Sequence, residues 1–269
     1  FYSWFVILPP WGDVPYSEAL DPNNALPAYD DVRAFYSDLI TRLNTAIGLI
    51  DPAASGFQEG DIFYGGDMTQ WTKFGNSLKL KMGMVLADVD PGTARTMVEE
   101  AAPNVFTSNA DNAVFPYLSA PPNNNPISDN VLGPFTARED YVAASPLVDI
   151  MNTLSDPRRP EYFTTVNGEF IGGSYGNVNV YNETSTVSEK IADPTFESLL
   201  LDYSEVEFLL AEAVERGFNV GGTAQEHYNN AIIASITYWG RTAEEALAYL
   251  AQPGVNYTTA PGDFRQKIG

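Results

Sequence analysis

The sequence predicts a mainly α-helical protein, and three observations carry that expectation. From Trp71 to Pro91 the chain reads WTKFGNSLKLKMGMVLADVDP, with Trp71, Phe74, Leu78, Met82, Val85 and Leu86 on one face and a turn signal at its end. From Asp30 to Ile50, Val32, Phe35, Tyr36, Leu39, Leu43, Ala46, Ile47 and Ile50 recur at steps of three and four. That spacing is the signature of a helix with one buried stripe. The C-terminal third carries Ser204-x-x-Glu207, Thr223-x-x-Glu226 and Thr242-x-x-Glu245. In each pattern two side chains can satisfy orphan amides at a helix start.

Taken in order, Phe1–Leu20 is aromatic and broken by Pro9, Pro10 and Pro15, which predicts an extended segment with turns. The Asp30–Ile50 helix ends at Asp51-Pro52 and a glycine-bearing stretch to Gly66. On the Trp71 helix, Lys73, Lys79 and Lys81 are expected toward water. Asp90-Pro91 then starts a short helix, with Asp as N-cap and Pro in the first turn, where its missing N–H costs nothing. Pro103–Pro134 is a long polar excursion centred on Ala120–Pro126, and a loop of that length is usually functional or mobile. Ser145-Pro146 opens a helix to about Leu154. Tyr162–Tyr181, rich in glycine, reads as hairpin and loop. In the last third, Val206, Leu209, Leu210 and Ala213 line one helix, and Tyr228, Ala231, Ser235 and Tyr238 the next. Small Ala231 and Ser235 permit close approach, as in the helix pairs of solenoids, although no strict repeat period is visible.

Composition narrows the function. At 269 residues and 29.4 kDa, with 44% hydrophobic and 13% aromatic residues, the chain can bury a large core. No apolar run approaches the ~20 residues that span a bilayer. Fourteen Lys and Arg stand against 35 Asp and Glu, a net charge of −21. Such a surface repels nucleic acid and anionic headgroups, and is compatible with neutral or cationic ligands. With no cysteine there is no disulfide, thiol nucleophile or thiolate metal site, and the single His227, read as a surface or boundary residue, excludes multi-histidine zinc. Both ends of the chain read as cut from a longer protein.

Catalytic patterns are weak. Glu205, Glu207, Glu212 and Glu215 fall on one helix, with Glu212 one turn before Arg216 as an ordinary ion pair. A glycosidase needs two carboxyls at a defined separation, which sequence does not supply. There is no G-x-S-x-G, and Gly172–Gly176 lacks the Lys-Ser/Thr ending of a phosphate loop. Asp111-Asn112, Asn123–Asn125 and Asp129 offer hard oxygens for calcium without EF-hand spacing. Loop aromatics are the better lead, because sugar rings stack their C–H faces on Trp and Tyr while amides bond the hydroxyls. The candidate ligand-binding residues are Trp4, Trp11, Tyr117, Asn123, Asn124, Tyr175 and Tyr181, each with core or loop packing as its competing role. No cofactor is expected.

Several segments, in order, resemble one family. Gly12–Ala19 (GDVPYSEA) is similar to its fG-D-x-P-Y-s-e-A segment, and Pro27–Asp30 with Tyr36–Leu39 to its P-x-Y-D…iY-x-d-L helix start. Trp71–Leu80 (WTKFGNSLKL) is close to W-x-K-F-A-N-S-L-K-L, Tyr203–Gly217 to y-a-E-v-x-F-L-l-A-E-A-x-x-R-G, and Tyr228–Gly240 to the helix after it. On these segments the chain resembles the SusD/RagB family of Bacteroidetes surface lipoproteins, in its SusD-like subgroup. The resemblance implies a single SusD-like domain over 1–269, incomplete at both termini. It implies a mainly α fold of tetratricopeptide-like helix pairs, with a loop-rich face and minor β-hairpin content. It also implies a non-catalytic glycan binder on the outward face of the outer membrane, held by an N-terminal lipid anchor absent from this chain. Its partners would be a glycan and a SusC-like, TonB-dependent transporter, with no nucleic acid. Capture of peptides or other nutrients, a helical-repeat interaction scaffold and, last, a glycoside hydrolase are the alternatives. The matched motifs are helix-packing residues, so they transfer no sugar-binding role to any position.

Overall fold

Most helix starts in this chain are fixed by carboxylate and hydroxyl caps, and the computed structural model shows them over the residues it describes, 1–131 and 139–269. The chain divides into two compact units, residues 1–106 with 217–221, and residues 107–216 with 222–269.

The first unit holds α1 (Tyr2–Trp11), α2 (Val32–Leu49), α3 (Met68–Val85) and α4 (Pro91–Ala101). Asp31 caps α2 by accepting from the amides of Arg33 and Ala34, and Asp13 accepts from Val32 N at 2.9 Å. Asp67 caps α3 in the same way, and Asp90 accepts from Thr93 N with Pro91 behind it. The core gathers Phe5, Leu8, Phe35, Leu39, Leu43, Leu78, Leu80, Met97 and Val98. Gly83 lets α3 and α4 touch, since a Cβ there would lie 2.9 Å from Val98 Cγ2.

Two expectations change in this unit. Phe1–Leu20 is not extended at its start: α1 runs through Pro9 and Pro10. Both prolines sit in its last turn, where they remove two amides. Burial of Phe5 and Leu8 outweighs that loss, and Gly12 N closes the end on Leu8 O at 2.9 Å. Helix α3 is enclosed on nearly every side from Gly75 to Met84, so Lys79 is buried rather than solvated, with Nζ 2.7 Å from Glu100 Oε2. Val85, expected in the core, is exposed.

The second unit contains β1 (Ala113–Phe115), α5 (Pro126–Val131), α6 (Ser145–Thr153), α7 (Arg159–Tyr162), α8 (Glu189–Ala192) and β2 (Ser198–Leu201). Then follow α9 (Tyr203–Glu215), α10 (Ala224–Tyr238), α11 (Ala243–Leu250) and α12 (Phe264–Ile268). Helices α9 and α10 are antiparallel: Ser204 Oγ donates to Ala231 O at 2.8 Å, and further along α9 Glu207 Oε2 meets His227 Nδ1 at 2.6 Å. Their seam, with α11, is packed by Ala211, Tyr228, Ile232, Ile236, Ala246 and Leu250. His227 is thus largely covered, a boundary residue, which is one of the two places expected for it.

Thr223 and Thr242 form full capping boxes with Glu226 and Glu245. The Ser204–Glu207 pattern does not, because Asp202 caps α9 by accepting from Glu205 N, and both pattern side chains face α10. The Pro103–Pro134 excursion is more structured than expected, and its end at Pro134 lies outside the described residues. Asp111 accepts from Thr107 N, Thr107 Oγ1 and Ser108 N, which folds a 3₁₀ turn at Asn109–Asp111 before β1 pairs antiparallel with β2. The expected hairpin is the two-residue Asn167-Gly168 turn, both at positive φ, closed by Val166 and Glu169.

Candidate functional site

The stretch from Ile171 to Ser185 is an exposed loop with a pinned backbone. Gly173 N donates to Ala143 O at 2.7 Å, Ser145 N donates to Gly173 O at 2.9 Å, and Ser185 N donates to Ile171 O at 2.7 Å. Ile171 N donates in turn to Ser185 Oγ. Inside the loop, Asn179 Oδ1 accepts from Ser174 N while its Nδ2 donates to Ser174 O and Asn177 O. Two residues cannot grow there: a Cβ on Gly172 would lie 2.4 Å from Ser145 Cα, and one on Gly173 2.6 Å from Val142 Cγ2. The crest of this rigid turn presents Tyr175, 78% exposed, with Val178 and Val180 also in solvent. Tyr181 follows, half-buried, at the start of a 3₁₀ turn.

The other sequence-predicted residues are dispersed. Tyr117 packs edge-on against Phe115, with ring centroids 5.3 Å apart, and Leu118 N donates to Asn123 O at 2.8 Å. That bond brings Tyr117 close to exposed Asn123. Asn124 is buried, its Nδ2 donating to Asp129 Oδ1 at 2.8 Å, which is a structural contact. Trp4 and Trp11 sit two turns apart on α1. Trp4 packs edge-on against Tyr16 and Phe35, which stack on each other at 3.7 Å, and Tyr16 Oη donates to Asp38 at 2.7 Å. Burial and Asp38 together raise the Tyr16 pKa. Trp11 remains in solvent, 75% exposed at the helix end.

Of the calcium candidates, Asp111 accepts the three bonds above, and Asn112 Oδ1 accepts from Tyr203 N at 2.8 Å. Among the described residues no three acidic or imidazole groups gather to hold a metal.

Sequence reasoning missed a pocket in the first unit, between α2 and α3. Its volume is about 600 Å³, and Phe57, Ile62, Phe63, Met68 and Trp71 supply its apolar walls. Asp61 holds the loop: Oδ1 accepts from Phe63 N and Tyr64 N, and Oδ2 from Gly66 N (2.9 Å) and Trp71 Nε1 (2.7 Å). Desolvation opposes the charge, yet these four donors prevail and lower the Asp61 pKa. The available signal was the density of aromatics (Phe57, Phe63, Tyr64, Trp71) around Glu59 and Asp61.

Comparison with known proteins places this architecture. The family described as starch-binding, associating with the outer membrane, matches residues 1–269. The chain belongs to the SusD-like family. Among solved structures, this SusD-like chain is similar to a chitin-binding SusD homologue from Flavobacterium johnsoniae at 29% identity and a TM-score of 0.78, covering 90% of this chain and 51% of that one. A SusD homologue from Bacteroides uniformis gives 29% and 0.79 over 90% and 51%. One from Bacteroides fragilis gives 26% and 0.79 over 98% and 63%. The SusD-like chain therefore spans about half the length of the first two relatives. No curated relative matches it.

Proposed function

We propose that this chain is the glycan-binding part of a non-catalytic cell-surface protein that passes oligosaccharides to a TonB-dependent transporter of the bacterial outer membrane. In this reading the protein is held at the outward face by an N-terminal lipid anchor. The family description and the chitin-binding relative support the ligand class. The observation that carries the reading is Tyr175: an aromatic side chain held in solvent by a loop that the Asn179 amide ties together. A loop backbone already fixed in place loses little entropy when a sugar stacks on the ring it presents. The loop from 171 to 185 contains one carboxylate, Glu183, whereas glycoside hydrolysis uses two. Binding without turnover is what such a surface supports.

Affinity electrophoresis against neutral and acidic polysaccharides, with reducing-sugar release assayed alongside, tests this. Retardation by a neutral glycan without sugar release is expected, and Tyr175→Ala should weaken it about tenfold, the upper range for one ring stack. No retardation across the panel, or release of reducing sugar, overturns the reading.

A further inference from the structure

We propose that the pocket formed by the α2–α3 loop is a binding site for the aryl or similarly flat apolar group of an uncharged ligand, distinct in chemistry from the sugar-stacking surface at Tyr175. The inference comes from the polar inventory of the pocket. Its walls are Phe57, Ile62, Phe63, Met68 and Trp71, and its volume of about 600 Å³ falls in the range of small-molecule sites. Asp61 stands at the wall but offers no strong site to a ligand, since two donors already converge on each of its oxygens. The Trp71 indole N–H is likewise committed to Asp61. That leaves Gln58 and Glu59 as the side chains able to bond a ligand.

A saccharide is a poor match to this inventory. Each pyranose brings several hydroxyls, and each one desolvated without a partner weakens binding by about tenfold. An aryl group has no such requirement and gains from edge or face contact with Phe57, Phe63 and Trp71. Charge then decides which aryl compounds enter. Asp61 stays ionised because its donors lower its pKa, and Glu59 adds a second carboxylate at the pocket. An anionic ligand is repelled and a neutral one is not. Two of the walls are also in position before binding: Trp71 is locked by Asp61, packs edge-on against Phe63 and Tyr64, and stands at 5.6 Å from Phe74. Phe57, 87% exposed, is the wall with the least packing to lose on substitution.

Met68 supplies a local reporter, since it lines the pocket and the chain has five methionines in all. The experiment titrates the full chain, labelled at the methionine methyl carbons, with phenyl β-D-glucoside, methyl β-D-glucoside, benzyl alcohol and benzoate. Met68→Leu identifies the signal. Phenyl glucoside and benzyl alcohol are expected to shift the Met68 methyl saturably. Methyl glucoside should leave it in place, and benzoate should bind at least tenfold more weakly than benzyl alcohol. Phe57→Ala and Ile62→Ser should each weaken the aryl probes, the first by about tenfold, while the other four methyls hold their positions and report an intact fold. An unmoved Met68 signal, an unchanged affinity in both variants, or equal shifts from methyl and phenyl glucoside overturns the assignment. The outcome is independent of whether any polysaccharide binds at Tyr175.

Discussion

At Asp61 a single carboxylate organises the whole α2–α3 connection. Three main-chain amides and one indole N–H point at its two oxygens. An amide in its place would turn two hydrogens toward those donors. Asp61→Asn is therefore expected to destabilise the protein by about 1–3 kcal/mol in urea unfolding at pH 7. The folded pKa lies below the ordinary 3.8, so the stabilisation is complete above that value and is lost as pH falls through the folded one. The gap between wild type and Asp61→Asn should accordingly close in unfolding curves taken below pH 3.8. Little of this was legible in sequence, where Asp61 is one of 35 acidic residues. Tyr175 was legible as an exposed aromatic because its flanking glycines give it no helix or strand to bury into, whereas Trp11 is exposed as the last residue of α1. Trp4 has the same proline-rich neighbourhood, yet it packs on Tyr16 and Phe35, partners that sequence distance conceals.

At the scale of elements, end signals read well and faces less well. Asp90-Pro91 and the boxes at Thr223 and Thr242 sit where the pattern places them, because capping is settled within four residues. The Ser204 pattern fails because tertiary contacts compete for its side chains while Asp202, two residues earlier, is free to cap. The amide of Glu205 should exchange faster with solvent in Asp202→Ala and at the native rate in Ser204→Ala; a native rate in Asp202→Ala, with the Glu207 amide exchanging faster in Ser204→Ala, would restore the sequence reading. Helix α3 shows the limit of periodicity. Its small and amide residues, Gly75, Asn76, Ser77 and Gly83, let neighbours close in on the polar side, so a stripe drawn from large apolar residues understates burial. Ser77 Oγ accepting from Phe106 N at 2.9 Å is one such contact.

For the molecule as a whole the dominant quantity is charge. A net −21 over 269 residues sets a repulsive field toward polyanions, screened within about 8 Å at physiological ionic strength. Retardation by an acidic polysaccharide should therefore strengthen as salt rises from 10 mM to 300 mM, on the order of severalfold, while retardation by a neutral glycan stays constant. Affinity electrophoresis at the two ionic strengths measures both. The helical class and the family were legible from helix-packing segments such as Trp71–Leu80, Tyr203–Gly217 and Tyr228–Gly240, in a chain that shares 26–29% identity with these solved relatives. The proposed ligand surface was only partly legible, since loops are shaped by single hydrogen bonds that leave no period.

The first unit is not one stretch of chain. Residues 217–221 belong to it, and they lie on α4: Arg95 Nη1 donates to Gly217 O at 2.8 Å, Asn219 N donates to Glu99 Oε1 at 2.8 Å, and the Arg95 guanidinium covers the Phe218 ring. During synthesis, α1 to α4 thus wait for more than a hundred further residues before their last partners emerge. A fragment ending at Phe106 would display Arg95 and Glu99 without those two main-chain contacts. The order of translation and the order of completion are different in this chain, and the five residues from Gly217 to Gly221 are the point at which the earlier half becomes whole.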